Sequence, residues 1–196
     1  LAQENYRASV LVVSSTDKIL EFLSKVLPPN QFNPIDSVKS CGEAKRLLIN
    51  KPYDIVVINS PLTDEFGSEL AIEIATKYNS GVLLMIKAEA YEQVTYQVEN
   101  YGVLTMSRPC QSHAVFQSMK LLMATKIKLR AMEEKTASLE EKMKEIRIIN
   151  HAKGILIEKL HLTENEAHKY IEKNAMDQCV KKVEIAKGIL EHYEEV

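Results

Sequence analysis

The side chains most able to do chemistry in this chain are cations gathered in its last quarter. Arg147, His151 and Lys153 fall within seven residues beside Gly154, and Lys169, Lys173, Lys181, Lys182 and Lys187 follow. Side chains of this type hold phosphate oxygens; for any one lysine alone, the competing reading is a solvated surface charge. Covalent chemistry lacks its parts: no nucleophile–base pair and no glycine-rich phosphate loop can be found. His151, His161, His168 and His192 have no metal-ligand spacing, and Cys41, Cys110 and Cys179 are odd in number and far apart. The expectation is therefore a binding protein with no catalytic residue, no cofactor and no metal, not an enzyme.

Net charge bounds what the cations can do. The whole chain carries a formal −2, divided as about −3 over 1–110, about +2 over 111–146 and about −1 over 147–196. Affinity for a polyanion must come from a local stripe. The first residues lack the charged-then-apolar order of a signal peptide, and no apolar run approaches the length of a membrane span. A cytoplasmic chain with reduced thiols and no membrane partner is expected.

The elements that would position these residues change character near Ser112. Before it, short apolar runs at Ser9–Val13, Asp54–Ile58, Val82–Ile86 and Val103–Thr105 alternate with helical spacing at 19–26, 41–50, 67–78 and 89–100. Phe32–Val38 adds a strand that Pro34 confines to an edge or end. Five strands alternating with helices predict a doubly wound parallel α/β sheet. After Ser112 no Gly or Pro intervenes until Gly154, which permits one helix of roughly forty residues, about 60 Å long. A heptad can be read along it, with Leu122, Leu129, Thr136, Met143 and Asn150 at one core position. Thr125, Met132, Leu139 and Ile146 take the other. Two readings stand: a coiled coil joining two chains through 122–150, and an amphipathic helix packed along its own domain. Glu133–Lys135 and Glu140–Lys144 suit the flanks of the first.

Beyond Leu160, Thr163-Glu-Asn-Glu166 is a capping box that starts a helix over 164–176 with Ala167, Ile171 and Ala175 on one face. A last helix carries Val183, Ile185, Ala186, Ile189 and Leu190. Gly154 inside a helix costs about 1 kcal/mol relative to Ala, which suggests close approach of another helix or of a ligand, with helix packing favoured. Tyr170 could stack on a base, though packing between helices is the favoured reading.

The alternating half resembles the response-regulator receiver family over residues 9 to about 125, with each landmark replaced. Ser14 and Ser15 occupy the positions of the acidic pair that holds Mg²⁺, and Asn59 that of the phosphoacceptor aspartate, in a register fixed by Gly67. Lys87 stands at the hydroxyl position, Arg108 before Pro109 at the lysine position, and Thr105 at the aromatic switch position. A carboxamide forms no acyl phosphate, and two serines offer Mg²⁺ no charge. The resemblance implies a pseudo-receiver that takes no phosphate. Its Lys87 and Arg108 either hold an anion or pair with Asp17 or Asp64, the pairing being favoured.

Residues 147–190 resemble the ANTAR family of transcription antitermination regulators. The landmarks are Arg147, Ile148, Ala152-Lys-Gly-Ile-Leu156, Thr163, Glu164, Glu166, Ala167, Ile171, Ala175, Met176, Ile185 and Ala186. Glu172 departs from the pattern, which has a basic residue there. The resemblance implies a dimer binding paired stem-loops of leader RNA in the context of RNA polymerase; from their own chemistry the candidates for RNA contact are Arg147, His151, Lys153, Gly154, Lys169, Lys173, Lys181 and Lys182. The expected organisation is a pseudo-receiver over 1–111, a coiled-coil helix over 112–146 and a three-helix ANTAR module over 147–196. A DNA-binding regulator and a protein-interaction scaffold are the alternatives.

Overall fold

The computed structural model describes residues 6–194. The chain divides into two compact units, Leu1–Arg130 and Ala131–Val196.

In the first unit five strands, β1 (Ala8–Ser14), β2 (Phe32–Val38), β3 (Ile55–Asn59), β4 (Gly81–Lys87) and β5 (Leu104–Arg108), form a sheet in the order β2-β1-β3-β4-β5. Every pairing is parallel. The central strands are apolar on both faces because helices cover both. Val10, Val12, Ile55, Val57, Leu83 and Met85 point to one side, where α1 (Lys18–Val26) and the start of α5 (Ser112–Leu160) lie. Leu11, Val13, Val56, Ile58, Leu84 and Ile86 point to the other, under α2 (Cys41–Asn50), α3 (Ser68–Lys77) and α4 (Tyr91–Val98). Pro34 sits in the edge strand β2, where its missing N–H breaks no central ladder.

Two sequence boundaries move. The helix expected over 89–100 is a 3₁₀ turn, the shorter α4 and a second 3₁₀ turn, closed by Gly102 at φ 74°. The fifth strand runs past Thr105 to Arg108, which carries that arginine to the strand's end. Gly67, N-cap of α3, has φ 100°, and an added Cβ would lie 3.0 Å from Ile58. Both the backbone and the space there demand glycine.

Helix α5 extends through Gly154 to Leu160, 49 residues in all. Its first turns pack on the sheet: Val115, Met119, Leu122 and Met123 are buried with Leu83 and Met85. An added Cβ on Gly81 would stand 3.3 Å from Leu122, so the two elements touch closely. Leu122 is thus a core residue of its own domain, which corrects its assignment to a coiled-coil seam starting at 122. Of the two readings of this helix, packing along its own domain holds for these first turns.

In the second unit the end of α5 packs with α6 (Glu164–Asp177) and α7 (Lys182–Glu194) around Ala152, Leu156, Ala167, Ile171, Ala186 and Ile189. Small residues alternate with branched ones, so the end of α5 and two short helices can close over a minimal core. His161 at φ 54° ends α5, and the Thr163–Glu166 capping box starts α6 with both reciprocal hydrogen bonds formed.

Candidate functional site: a nucleic-acid interface and a receiver-like pocket

At the carboxyl ends of the strands, β1 and β3 are joined by neutral contacts. Ser14 and Asn59 are register partners on β1 and β3, both buried. The Asn59 Nδ2 donates to Ser14 Oγ at 3.1 Å, and that hydroxyl donates to the Thr16 carbonyl at 2.8 Å. Asn59 Oδ1 is buried and has no hydrogen-bond partner among the described residues. Ser15 is half-buried beside them. Lys87 and Arg108 are register partners at the ends of β4 and β5, yet their side chains part. Lys87 is exposed, whereas the Arg108 guanidinium donates to the Ser60 carbonyl, tying β5 to the residue after Asn59.

The two carboxylates expected to pair with these cations are engaged elsewhere. Asp17 is 3.3 Å from Lys39 Nζ. Asp64 accepts the backbone N–H groups of Cys41 and Gly42 at 3.0 Å each, at the N-terminus of α2. Those amides hold the Asp64 carboxyl below its ordinary range. Pairing of Lys87 or Arg108 with Asp17 or Asp64 is therefore corrected: the first carboxylate balances a lysine and the second caps a helix. Mg²⁺ requires several hard, charged oxygens. The donors at Ser14, Ser15 and Asn59 include no carboxylate, so this set does not fit the metal that receivers hold.

The cations of the second unit fall on three elements. Arg147 and His151 are exposed on α5, one turn apart. Lys153 is mostly covered and lies 3.3 Å from Glu164. Lys169 and Lys173 are exposed on α6, on the face opposite Ala167, Ile171 and Ala175. Lys181 lies 3.8 Å from Glu145, and Lys182 donates to Glu172 at 2.6 Å. That hydrogen bond holds the Glu172 carboxyl below its usual range. Lys153, Lys181 and Lys182 are thus balanced by glutamates within the unit, while Arg147 and Lys173 make no ion pair among the described residues.

Their partners were not legible in advance. Glu145 and Glu164 have no spacing that announces them, whereas Glu172 was marked only as a departure from a pattern. Gly154 is also corrected: among the described residues nothing lies within 4 Å of where its Cβ would be, so none of their helices packs there. Tyr170 is 44% exposed, which overturns packing between helices.

Residues 137–190 match the family model described as the ANTAR domain. The chain carries an ANTAR domain. That match spans the last part of α5 together with α6 and most of α7, the unit whose cations are described above. Over 183 residues the chain is 23% identical to the transcriptional regulatory protein PdtaR of Mycobacterium tuberculosis, covering 93% of this chain and 89% of that one. Among solved structures, the signal receiver domain of an HD domain-containing protein from Pseudomonas fluorescens Pf-5 aligns with TM-score 0.59 at 19% identity. It covers 67% of this chain and 97% of that one. The CheY-like receiver domain from Methanospirillum hungatei JF-1 aligns with TM-score 0.56 at 15% identity, covering 63% and 98%. At these identities the likeness to solved structures establishes only the fold of the first unit, a receiver-like parallel sheet covered by helices. Among the described residues, no helix is long and apolar enough to cross a membrane.

Proposed function

We propose that the protein is a transcription antitermination regulator. It binds paired stem-loops of leader RNA as a homodimer, with a receiver-like unit that takes no phosphate. The observation that carries this reading is the ANTAR match over 137–190 in a chain similar along 93% of its length to a transcriptional regulator. It is a regulator by binding, and no step of covalent chemistry is required.

RNA loops are recognised through unstacked bases and phosphates, so a small helical surface suffices. Arg147 on α5 and Lys169 and Lys173 on α6 are the exposed cations that would meet phosphate, and Tyr170 offers a ring for stacking. Lys153, Lys181 and Lys182 would contact RNA only by sharing or leaving Glu164, Glu145 and Glu172. They are weaker candidates than the first group.

Dimerisation is supported by one regularity. From Leu129 to Leu160, the large apolar side chains of α5 that are substantially exposed are Leu129, Met132, Leu139, Met143, Ile146, Ile157 and Leu160. All seven fall at the two heptad core positions. A helix whose exposed apolar residues follow a 3–4 spacing has a face made for another helix.

The receiver-like unit serves this reading as a scaffold without ligand. In place of a charged pocket that gains a phosphoryl group, the Arg108–Ser60 contact fixes the end of β5.

The test is a set of paired substitutions read by RNA titration. Replacing Arg147 and Lys173 with Ala should weaken hairpin RNA binding by tenfold or more and flatten its salt dependence. Replacing Lys39 and Lys45, which pair with carboxylates of the first unit, should leave it within twofold. Equal effects from both pairs would overturn the site.

A further inference from the structure

The heptad frame of α5 also fixes what flanks the apolar seam. With Leu129, Thr136, Met143 and Asn150 at position a and Met132, Leu139 and Ile146 at d, the e positions are Glu133, Glu140 and Arg147. The g positions are Lys128, Lys135 and Lys142. Lys135, Glu140, Lys142 and Arg147 are all exposed on the helix. In a parallel pair, each g residue faces the e residue five positions on in the other chain.

That geometry brings Lys128 to the partner's Glu133 and Lys135 to the partner's Glu140, both attractive. An antiparallel pair would set g against g, with Lys135 opposite Lys142, and e against e, where Glu133 opposite Arg147 attracts but Glu140 opposite its own copy repels. Asn150 adds to this. In a parallel pair its carboxamide meets its own copy, whereas in an antiparallel one it faces an apolar residue. The two attractive lysine–glutamate flanks together with Asn150 favour a parallel second copy as the occupant of this face.

The third pair has the opposite sign. Lys142 meets the partner's Arg147, and twofold symmetry repeats the contact, so four cations surround the seam between Met143 and Ile146. The acidic residues nearest in sequence do not relieve them. Glu140 faces the partner's Lys135, Glu145 is occupied by Lys181, and Glu141 lies on the outer side of the helix, away from the seam. Like charges across an interface weaken it. A polyanion seated there would remove the repulsion and bridge both chains.

We propose that Lys142 and Arg147 from the two chains form one composite cationic site for RNA phosphate, complete only in the parallel dimer. It deepens the reading above and rests on it. RNA binding and dimerisation then strengthen each other, because the phosphate relieves a repulsion that the protein dimer alone carries.

Two variants of the full chain separate this from other arrangements, with helicity checked by circular dichroism. Lys142→Glu turns the repulsive pairs into attractive ones. Its dimer dissociation constant, read by sedimentation equilibrium, should fall about three- to tenfold. Its affinity for hairpin RNA should nevertheless drop at least fivefold, with a logarithmic salt slope shallower by about 1.4, two charges at about 0.7 each. Lys135→Glu should weaken the dimer by a similar factor, since the carboxylate it introduces would face the partner's Glu140.

Dimer constants moving in the same direction for both variants overturn the parallel arrangement. A tighter Lys142→Glu dimer with unchanged RNA affinity overturns the composite site while leaving the RNA-binding dimer standing. A wild type that binds no RNA removes both.

Discussion

Asn59 and Arg108, at the ends of β3 and β5, are where the proposed loss of phosphoryl chemistry can be tested residue by residue. Asn59 bonds Ser14 through its amide, and the Arg108 guanidinium donates to the Ser60 carbonyl. Purified protein incubated with acetyl phosphate and Mg²⁺ is expected to carry no acid-labile phosphate. Asn59→Asp should carry none either, because Ser14 and Ser15 still supply no charge for the metal. Stoichiometric phosphate on either would contradict the pseudo-receiver reading. Arg108→Ala removes a charged hydrogen bond from a carbonyl and should lower unfolding stability by about 1.5–3 kcal/mol in urea titration. A loss under about 0.5 kcal/mol, the low end for a hydrogen bond, would show that the contact is dispensable. Gly154→Ala is expected to raise stability by about 0.5–1 kcal/mol, since open space surrounds the missing Cβ. That Ser14 and Asn59 lie side by side was legible in the sequence, because each ends an apolar strand and the two strands pair in register. Where Arg108 would point was not, since its acceptor is a backbone carbonyl that any residue at 60 would supply.

At the scale of elements, local signals read well and tertiary ones did not. Thr163 and Glu166 announced a helix start by chemistry confined to four residues, and both hydrogen bonds form. The heptad of α5 was visible too, but pattern alone could not say where the helix stops serving its own domain. Leu122 and Leu129 occupy the same heptad position, yet one is 8% exposed and the other 43%. The difference lies in the sheet beneath Leu122, which a periodicity cannot report. Leu139→Lys with Met143→Glu should therefore abolish dimers in light scattering while shifting the thermal midpoint of the receiver-like unit by less than about 2 °C. Loss of the monomer fold would mean that this stripe is core. Asp64 offers a pH test of α2. Its carboxyl is held low by the Cys41 and Gly42 amides, so the stabilisation is present above the unfolded value, near pH ~4. It is lost as pH falls through the lower folded value. Asp64→Asn should flatten the acid limb of stability against pH, and an unchanged limb would remove Asp64 from that role.

For the molecule as a whole, near-neutral charge is the constraint that any RNA-binding account must satisfy. Three lysines of the ANTAR unit are neutralised by its own glutamates, which lowers the charge each chain offers to phosphate and is why the proposed function joins two chains. The decisive measurement is a titration of the full protein against an RNA with two short stem-loops. Single-loop RNA and duplex DNA serve as controls, with mass recorded by light scattering. The account predicts tight, salt-sensitive preference for the two-loop RNA by a complex containing two chains. A folded, dimeric protein with no preference among the three nucleic acids would contradict it and point instead to a scaffold that binds protein.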